Sequence, residues 1–289
     1  MCAMNNAGKQ LRGFSGKGRA VLAVVLSLSF AAFSEEVMPL IRLVDAHTAG
    51  VIPKGYYAIE SRLYEGRTTG FLGSVSVGVT DRFSMGLGYG AEGIVGRGWD
   101  PEFNPFPGCM IKYRFCDETF LLPGMAAGFD YQGYGGIAGE DAHGYNAWGY
   151  TGYIYKSEGF FIAASKSYLL LKTIEFGFHG SLNWSLEEVW RIKWPNAGVG
   201  FDLGLSRAFS FAVEYDFGLN ARDPRTGDFA RPWDGYLHAG ARWNLTQNFA
   251  VELDVRDILE HRKYPDNAGA ARPQGWSREI KVVYMAPIR

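Results

Sequence analysis

The sequence has few cysteines and no long apolar run, and each absence excludes a class of protein. Its 289 residues contain 3 Cys, and Cys2 lies ahead of the first apolar segment. Cys109 and Cys116 belong to one alternating segment in which they point to opposite faces, so they cannot bridge within it. A mean hydropathy of −0.10 excludes a bundle of transmembrane helices. We therefore expect neither a disulfide framework nor a helical membrane protein.

Excess charge and cofactor motifs are also lacking. The formal net charge is −1, so nothing in the charge balance favours nucleic acid as a partner. The glycine-rich stretch 86–90 lies inside a predicted strand and does not open a helix, which a dinucleotide motif requires. His47, His143 and His261 have no metal-ligand spacing with one another. The sequence predicts no cofactor, no metal and no enzyme activity.

Glycine and aromatic residues, in contrast, are abundant and regularly placed. There are 38 Gly, 16 Tyr and 8 Trp. In residues 73–89, bulky apolar residues alternate with Gly and Ser on both sides of a tight connection, as in an antiparallel hairpin with one apolar face. The same pattern recurs in residues 205–215 and 245–255. These repeats indicate a meandering sheet.

The first residues have the features of an export signal. An apolar run, residues 20–33, follows the basic residues Lys9, Arg12, Lys17 and Arg19. This run is short for a membrane-spanning helix and ends in small residues at a cleavage spacing. We predict a signal peptide over 1–34, with a retained anchor as the alternative. A periplasmic lead-in over 35–54 and an outer-membrane β-barrel over 55–289 follow.

Thirteen segments of about ten residues have the length and alternation of tilted membrane-crossing strands. They are residues 55–64, 71–80, 82–92, 108–116, 120–130, 147–156, 160–169, 173–184, 196–205, 208–219, 234–244, 248–257 and 276–285. A missed strand at 189–194 would give fourteen, and twelve remain if two weak segments are loops. A soluble sandwich also alternates, but its strands average five or six residues. The predicted fold is all-β, a single antiparallel up-and-down transmembrane β-barrel of 12–14 strands.

In such a barrel the apolar alternate faces lipid and the polar alternate faces the lumen. This rule gives a lumen-lining set of eight acidic, five basic and two histidine side chains: Glu60, Arg62, Lys112, Arg114, Asp130, Glu175, His179, Asp202, Glu214, Asp216, His238, Arg242, Glu252, Asp254 and Arg256. Two interpretations stay open. The charges pair across strands around a narrow, plugged interior, or they line a water-filled pore with a mild cation preference.

Two further interpretations are weaker. His179, Ser181 and Asn183 share one inward face and are residue types that barrel hydrolases use, although any polar strand face produces such triples. The aromatic and amide residues of loops 99–107 and 130–136 suit either sugar binding or a cap over the barrel mouth.

Several segments carry a resemblance to a known family. Residues 74–89, 108–114, 122–130 and 164–166, in this order, resemble the YjbH-like outer-membrane proteins and related uncharacterised barrels, and residues 278–284 are similar to the ends of such barrels. The resemblance implies an outer-membrane location and a role with exopolysaccharide, and it supplies no catalytic residues. YjbH-like proteins are longer than this chain. Many barrels also end on an aromatic residue, whereas five residues follow Tyr284 here.

Together these observations predict an outer-membrane barrel that serves as a pore or export accessory for a polar solute such as polysaccharide. The alternative is a non-conducting structural barrel with a salt-bridged interior. The expected partners are outer-membrane lipid, the outer-membrane assembly machinery and a polysaccharide or small polar solute, without nucleic acid.

Overall fold

The computed structural model describes residues 38–65, 69–95, 101–138, 152–155, 157–170, 174–187, 194–220, 235–261, 263–265, 271–273 and 275–289. These residues form strands and connections only, and they contain no helix long and apolar enough to cross a membrane. The predicted signal peptide lies outside the described residues.

Seventeen strands follow one another along the described chain. They are β1 (Tyr56–Glu65), β2 (Thr69–Thr80), β3 (Phe83–Val95), β4 (Glu102–Phe103), β5 (Gly108–Cys116), β6 (Gly124–Asp130), β7 (Tyr134–Ala138), β8 (Gly152–Tyr155), β9 (Gly159–Leu170), β10 (Ile174–Trp184), β11 (Asn196–Ser206), β12 (Phe209–Asp216), β13 (Tyr236–Asn244), β14 (Phe249–Arg256), β15 (Lys263–Pro265), β16 (Ala271–Pro273) and β17 (Ser277–Pro287).

Twelve of these strands form a closed antiparallel barrel. The wall runs β1, β2, β3, β5, β6, β9, β10, β11, β12, β13, β14 and β17, and β17 pairs with β1 to close it. The strand β4 extends the edge of β3, while β7–β8 and β15–β16 are separate hairpins. The prediction of an up-and-down barrel is therefore confirmed, with the lowest of the predicted strand numbers.

The alternation of the sequence sets the two faces of the wall. Ile111 and Tyr113 of β5 are exposed on the outer face, whereas Lys112 between them is completely buried on the inner face. Leu253 and Ile280, paired across β14 and β17, are likewise exposed. A continuous apolar outer surface with a polar interior is the arrangement of membrane barrels, in which lipid covers the outside.

The two ends of the barrel differ in their connections. At one end, which we call the turn end, β2–β3, β11–β12 and β13–β14 are joined by short turns, and Tyr56 lies beside Pro287. At the other, the loop end, long connections carry β4, β7–β8 and β15–β16. This alternation agrees with the predicted pattern of short turns and long loops.

Two strand predictions have a different outcome. The prediction of a wall strand over 147–156 is wrong for its described part, because β8 pairs only with β7 and the wall passes directly from β6 to β9. A hairpin outside the wall has the same period of two as a wall strand, so alternation could not separate them. The predicted extra strand 189–194 lies outside the described residues except for Trp194.

Candidate functional site

The inner wall is lined in many places by glycine, and this leaves space inside the barrel. A Cβ atom added to Gly198 would lie 3.8 Å from the Cβ of Ala46, and one added to Gly124 would lie 3.5 Å from the Cβ of Ala49. Eight strands make a barrel whose interior side chains just fill. Twelve strands with small inward residues can accommodate an additional segment of chain.

That segment is residues 38–52, which we call the lumen hairpin. Arg42 and His47 form a bridge with each other, the Leu43 N–H donates to the Ala46 carbonyl over 2.9 Å, and the Thr48 N–H donates to the Ile41 carbonyl over 3.2 Å. These bonds fold the segment into a tight hairpin with its tip at 43–46. The sequence predicted a lead-in here, whereas residues 38–52 contact the inward side chains of the wall.

The lumen hairpin extends from the turn end towards the loop end. Near the turn end, Met38 and Ile52 pack together against inward residues of the wall. At its tip, Asp45 reaches Arg256, the last residue of β14, where this strand meets the loop end. The hairpin therefore occupies the lumen along most of its length.

Glu214 of β12 holds the tip through its backbone. One oxygen, Oε2, accepts hydrogen bonds from the N–H groups of Val44 at 3.1 Å, Asp45 at 3.0 Å and Ala46 at 2.9 Å. Glu214 is buried, so water does not compete for these bonds. Three consecutive N–H groups that converge on one carboxylate form an anion-binding concavity. The wall thus supplies the charge, and the hairpin supplies the donors.

The Asp45 side chain is held by a second group of residues from the wall and the loop end. Its Oδ1 atom accepts from Arg256 Nη2 at 2.9 Å, Arg62 Nη1 at 3.1 Å and the Tyr134 hydroxyl at 2.8 Å. Burial raises the pKa of Asp45, but the neighbouring Arg256 and Arg62 outweigh it and bring the pKa well below its usual range. Glu279 stands 2.8 Å from Arg256 and also faces Arg62.

The hairpin β7–β8 covers this group from the loop end. Tyr134 and Tyr155 stack with ring centroids 4.8 Å apart, and Tyr64 of β1 meets the edge of Tyr134 at 4.9 Å. The Tyr155 hydroxyl lies 2.8 Å from Ser277 Oγ of β17. This part of the predicted 130–136 loop therefore folds over the lumen, as a cap does.

A third group surrounds the first leg of the lumen hairpin. Asp130 binds Arg42, and it also accepts from His47 Nε2 at 2.9 Å. Lys112 donates to the Ile41 carbonyl at 2.9 Å. Burial, together with the charges of Arg42 and Lys112, lowers the pKa of His47 to about 3 although Asp130 acts in the opposite direction. His47 is therefore neutral at pH 7.

On the opposite wall, a buried lysine pairs with two acids. Lys281 of β17 lies 2.6 Å from Glu252 and 3.1 Å from Asp254, and it donates to the Val44 carbonyl at 3.2 Å. Neither Lys281 nor Glu279 was among the predicted lumen residues. Both alternate with the exposed Ile280, so the rule that identified the other charges could have identified these two.

His179 was predicted to share a face with Ser181 and Asn183, but its hydrogen-bond partners in the structure are other residues. His179 Nδ1 lies 2.8 Å from Ser165 Oγ and its Nε2 lies 2.6 Å from Asp202, whereas Asn183 donates to the carbonyl of Glu158. Ser165 also accepts the N–H of Ala49 at 2.8 Å. Ser165, His179 and Asp202 thus form a chain of hydrogen bonds, but Ser165 already binds the lumen hairpin.

The remaining predicted residues lie around these groups. Glu60 accepts a hydrogen bond from Arg62 Nε at 2.6 Å, and His238 accepts the N–H of Asp257 at 3.0 Å. Arg114 pairs at 3.1 Å with Asp117 at the turn end, and Glu175 is exposed at that same end. Asp216 binds Asn196 at the loop end, and Arg242 lines the cavity below. Asp45, Arg42 and His47 were not among the predicted lumen residues, because polar and apolar residues do not alternate in the lumen hairpin.

A small cavity remains between the lumen hairpin and the wall. It has a volume of about 60 Å³, and the charged residues of its lining are Arg42, Glu60, Arg242, Glu252 and Lys281. This is room for a few water molecules. Within the described residues, no group of His, Cys, Asp and Glu side chains is arranged to hold a metal ion.

Solved outer-membrane porins have a similar barrel with little sequence identity. The KdgM porin has 6% identity and a TM-score of 0.42 and covers 78% of this chain and 98% of its own. The Acinetobacter baumannii outer membrane protein Omp33 has 7% identity and a TM-score of 0.43 over 80% of this chain and 98% of its own. An outer membrane channel from Pseudomonas putida F1 has 10% identity and a TM-score of 0.37 over 82% and 97%.

KdgM has also been solved in complex with disordered oligogalacturonate. These likenesses concern the barrel architecture and say nothing of the chemistry of this lumen. No protein-family model and no curated protein matches the chain. The YjbH-like resemblance therefore stays a prediction.

Proposed function

We propose that the chain is an outer-membrane barrel that passes a polar solute when the lumen hairpin leaves the lumen, and that the structure is its closed form. One observation carries this proposal. The hairpin is joined to the wall by side-chain hydrogen bonds and ion pairs, and within the described residues its β-bridge, Arg42 to His47, is internal. It can therefore leave without breaking any strand pairing of the barrel.

The wall behind the hairpin suits polar solutes. Lys112, Glu214 and Lys281 each bind backbone atoms of the lumen hairpin, so departure of the hairpin exposes them to the lumen. Adding Glu279 and Lys281 to the predicted set adds one charge of each sign and leaves the predicted excess of acidic groups unchanged. The open passage would be hydrophilic, with a mild preference for cations.

The remaining parts of the proposal rest on the sequence. Residues 1–34 direct export, lipid covers the apolar outer surface, and the outer-membrane assembly machinery inserts the barrel. Polysaccharide, as the YjbH-like resemblance implies, is the proposed class of solute. No residue of the chain is assigned a catalytic role.

A second candidate is a structural barrel that conducts nothing. The observation that favours it is the network of buried ion pairs between neighbouring strands, such as Lys281 with Glu252 and Arg256 with Glu279. Breaking a buried pair by removing one partner costs roughly 3–5 kcal/mol, so such pairs hold the wall in one arrangement.

Planar-bilayer conductance distinguishes the two. A variant with residues 38–50 replaced by a Gly-Ser linker should give steady conductance, whereas the chain from residue 35 should be closed most of the time. A well-folded linker variant without current, with folding shown by its β-sheet circular dichroism, would overturn the passage and leave the structural barrel.

A disulfide provides the matched control. The 3.8 Å that separates the Ala46 Cβ from a Cβ on Gly198 is the mean Cβ–Cβ distance of disulfides. With Cys109 and Cys116 replaced by serine, an Ala46→Cys/Gly198→Cys pair should abolish openings when oxidised and restore them when reduced. Equal openings in both states would show that the tip does not move.

A further inference from the structure

The carboxylate of Asp45 occupies a site that other parts of the chain have built. Its three donors come from three elements: Arg62 from β1, Arg256 from β14 and Tyr134 from β7. All three converge on one oxygen, Oδ1, at 3.1, 2.9 and 2.8 Å. Two guanidinium groups and a phenol hydroxyl around one oxygen are the chemistry of carboxylate recognition.

Asp45 leaves part of this site unused. Arg62 is 1% exposed and Arg256 is 0% exposed. Arg62 Nη2 and the Nε and Nη1 atoms of Arg256 are buried, and none of them has an acceptor among the described residues. A buried donor without an acceptor is energetically unfavourable. A ligand with more oxygen atoms than one aspartate presents would satisfy donors that Asp45 does not reach.

The donors are positioned by groups other than Asp45. The Arg256 guanidinium carbon lies 4.7 Å from the Tyr134 ring centroid and 4.9 Å from that of Tyr155. Glu60 holds Arg62 at 2.6 Å, and Glu279 stands 2.8 Å from Arg256. The site is therefore preorganised, because its arginines stay oriented when the hairpin tip leaves. The two glutamates balance the charges of the two arginines, so the attraction for an added carboxylate comes from the converging N–H and O–H donors, three of which have no acceptor.

We infer that this site, formed by Arg62, Arg256 and Tyr134, binds the carboxylate of a solute in place of Asp45 and thereby releases the tip of the lumen hairpin. The inference rests on the proposed function, in which the hairpin is removable. It adds that carboxylate-bearing solutes open the passage and that neutral solutes of the same shape do not.

The disulfide pair Ala46→Cys/Gly198→Cys measures occupancy of the tip directly, because the two thiols meet only when the tip is in place. We would measure its initial rate of oxidation with glucuronate, and with glucose at equal ionic strength as the neutral counterpart. At about 50 mM, above the millimolar effective concentration of a tethered segment, glucuronate should slow the reaction at least about three-fold. Glucose should leave the rate unchanged.

Variants assign the effect to the site. Arg62→Gln should remove the response to glucuronate, whereas Arg242→Gln, which changes an inward arginine outside the site, should keep it. An equal rate with glucuronate and glucose, or a response that survives Arg62→Gln, would overturn the inference.

A second measurement does not depend on cysteines. In the full chain with Asp45→Ala, acetate should raise the urea midpoint of unfolding, whereas acetamide should leave it unchanged. Acetate should raise the midpoint less in the unsubstituted chain, because Asp45 occupies the site there. Identical responses in the two chains would also overturn the inference. Both measurements report binding rather than current. If the linker variant conducts but these measurements show no carboxylate binding, this inference alone is wrong. If the linker variant does not conduct, the proposed function is wrong.

Discussion

Glu214→Gln is the most direct perturbation of the lumen hairpin, because it removes a charge and almost no volume. Oε2 of Glu214 accepts three backbone N–H groups at 2.9 to 3.1 Å. A hydrogen bond to a charged group contributes about 1.5–3 kcal/mol and a neutral one about 0.5–1.5 kcal/mol. The loss is then about 1 kcal/mol for each bond, or about 3 kcal/mol in all, which changes the equilibrium of the hairpin tip about 100-fold.

Hydrogen exchange in detergent measures this change at the three amides themselves. The N–H groups of Val44, Asp45 and Ala46 should exchange about 100-fold faster in Glu214→Gln than in the unsubstituted chain. Asp216→Asn is the matched control, because this acid lies on the same strand but binds Asn196 and the Gly218 N–H instead. It should leave exchange at the tip unchanged. Equal protection of the three amides in both variants would refute the argument that Glu214 holds the tip.

Three further predictions concern space, pH and buried charge. Gly198→Leu should displace the tip and raise the open probability in bilayers, because a Cβ there already contacts Ala46 at 3.8 Å and the larger side chain needs further space. Gly180→Leu, where a Cβ meets nothing within 4 Å, should not. His47 has a pKa of about 3, so the unfolded state takes up a proton as the pH falls and the folded state does not. Lowering the pH from 6.5 to 5 should therefore destabilise the native chain by about 1.6 kcal/mol relative to His47→Phe in urea unfolding, and a constant difference would contradict this. Lys281→Met should cost roughly 3–5 kcal/mol in the same assay by leaving two buried acids unpaired, and a loss below about 1 kcal/mol would be inconsistent with the pairing.

The wall could be predicted from the sequence because its cause is local. Each strand has one apolar and one polar face, so the inward direction of Lys112 follows from its apolar neighbours Ile111 and Tyr113 alone. The same rule failed for β8, whose alternation serves a hairpin that lies over the lumen. It could not find the lumen hairpin at all, since Val44 and Asp45 are positioned by partners as distant in sequence as Lys281 and Arg256.

The glycines of the inner wall are the one feature of the sequence that indicates a segment inside the barrel. Strands that place bulky side chains outside and Gly or Ser inside leave a space that their own side chains do not fill. Gly198 and Gly124 lie against Ala46 and Ala49 for this reason. An interior with too little volume of its own predicts that another part of the chain enters it, but not which part.

The position of the lumen hairpin ahead of β1 imposes an order on biogenesis. Its residues are synthesised before those of the wall, yet Lys281, which binds the Val44 carbonyl, lies 237 positions later in β17. The hairpin cannot acquire its full set of partners until β17 has paired with β1, so it lacks these contacts until the barrel closes. Contacts this distant in sequence form late in folding. Docking of the hairpin would then mark completion of the barrel, and a chain truncated before β17 would keep the hairpin accessible to proteases.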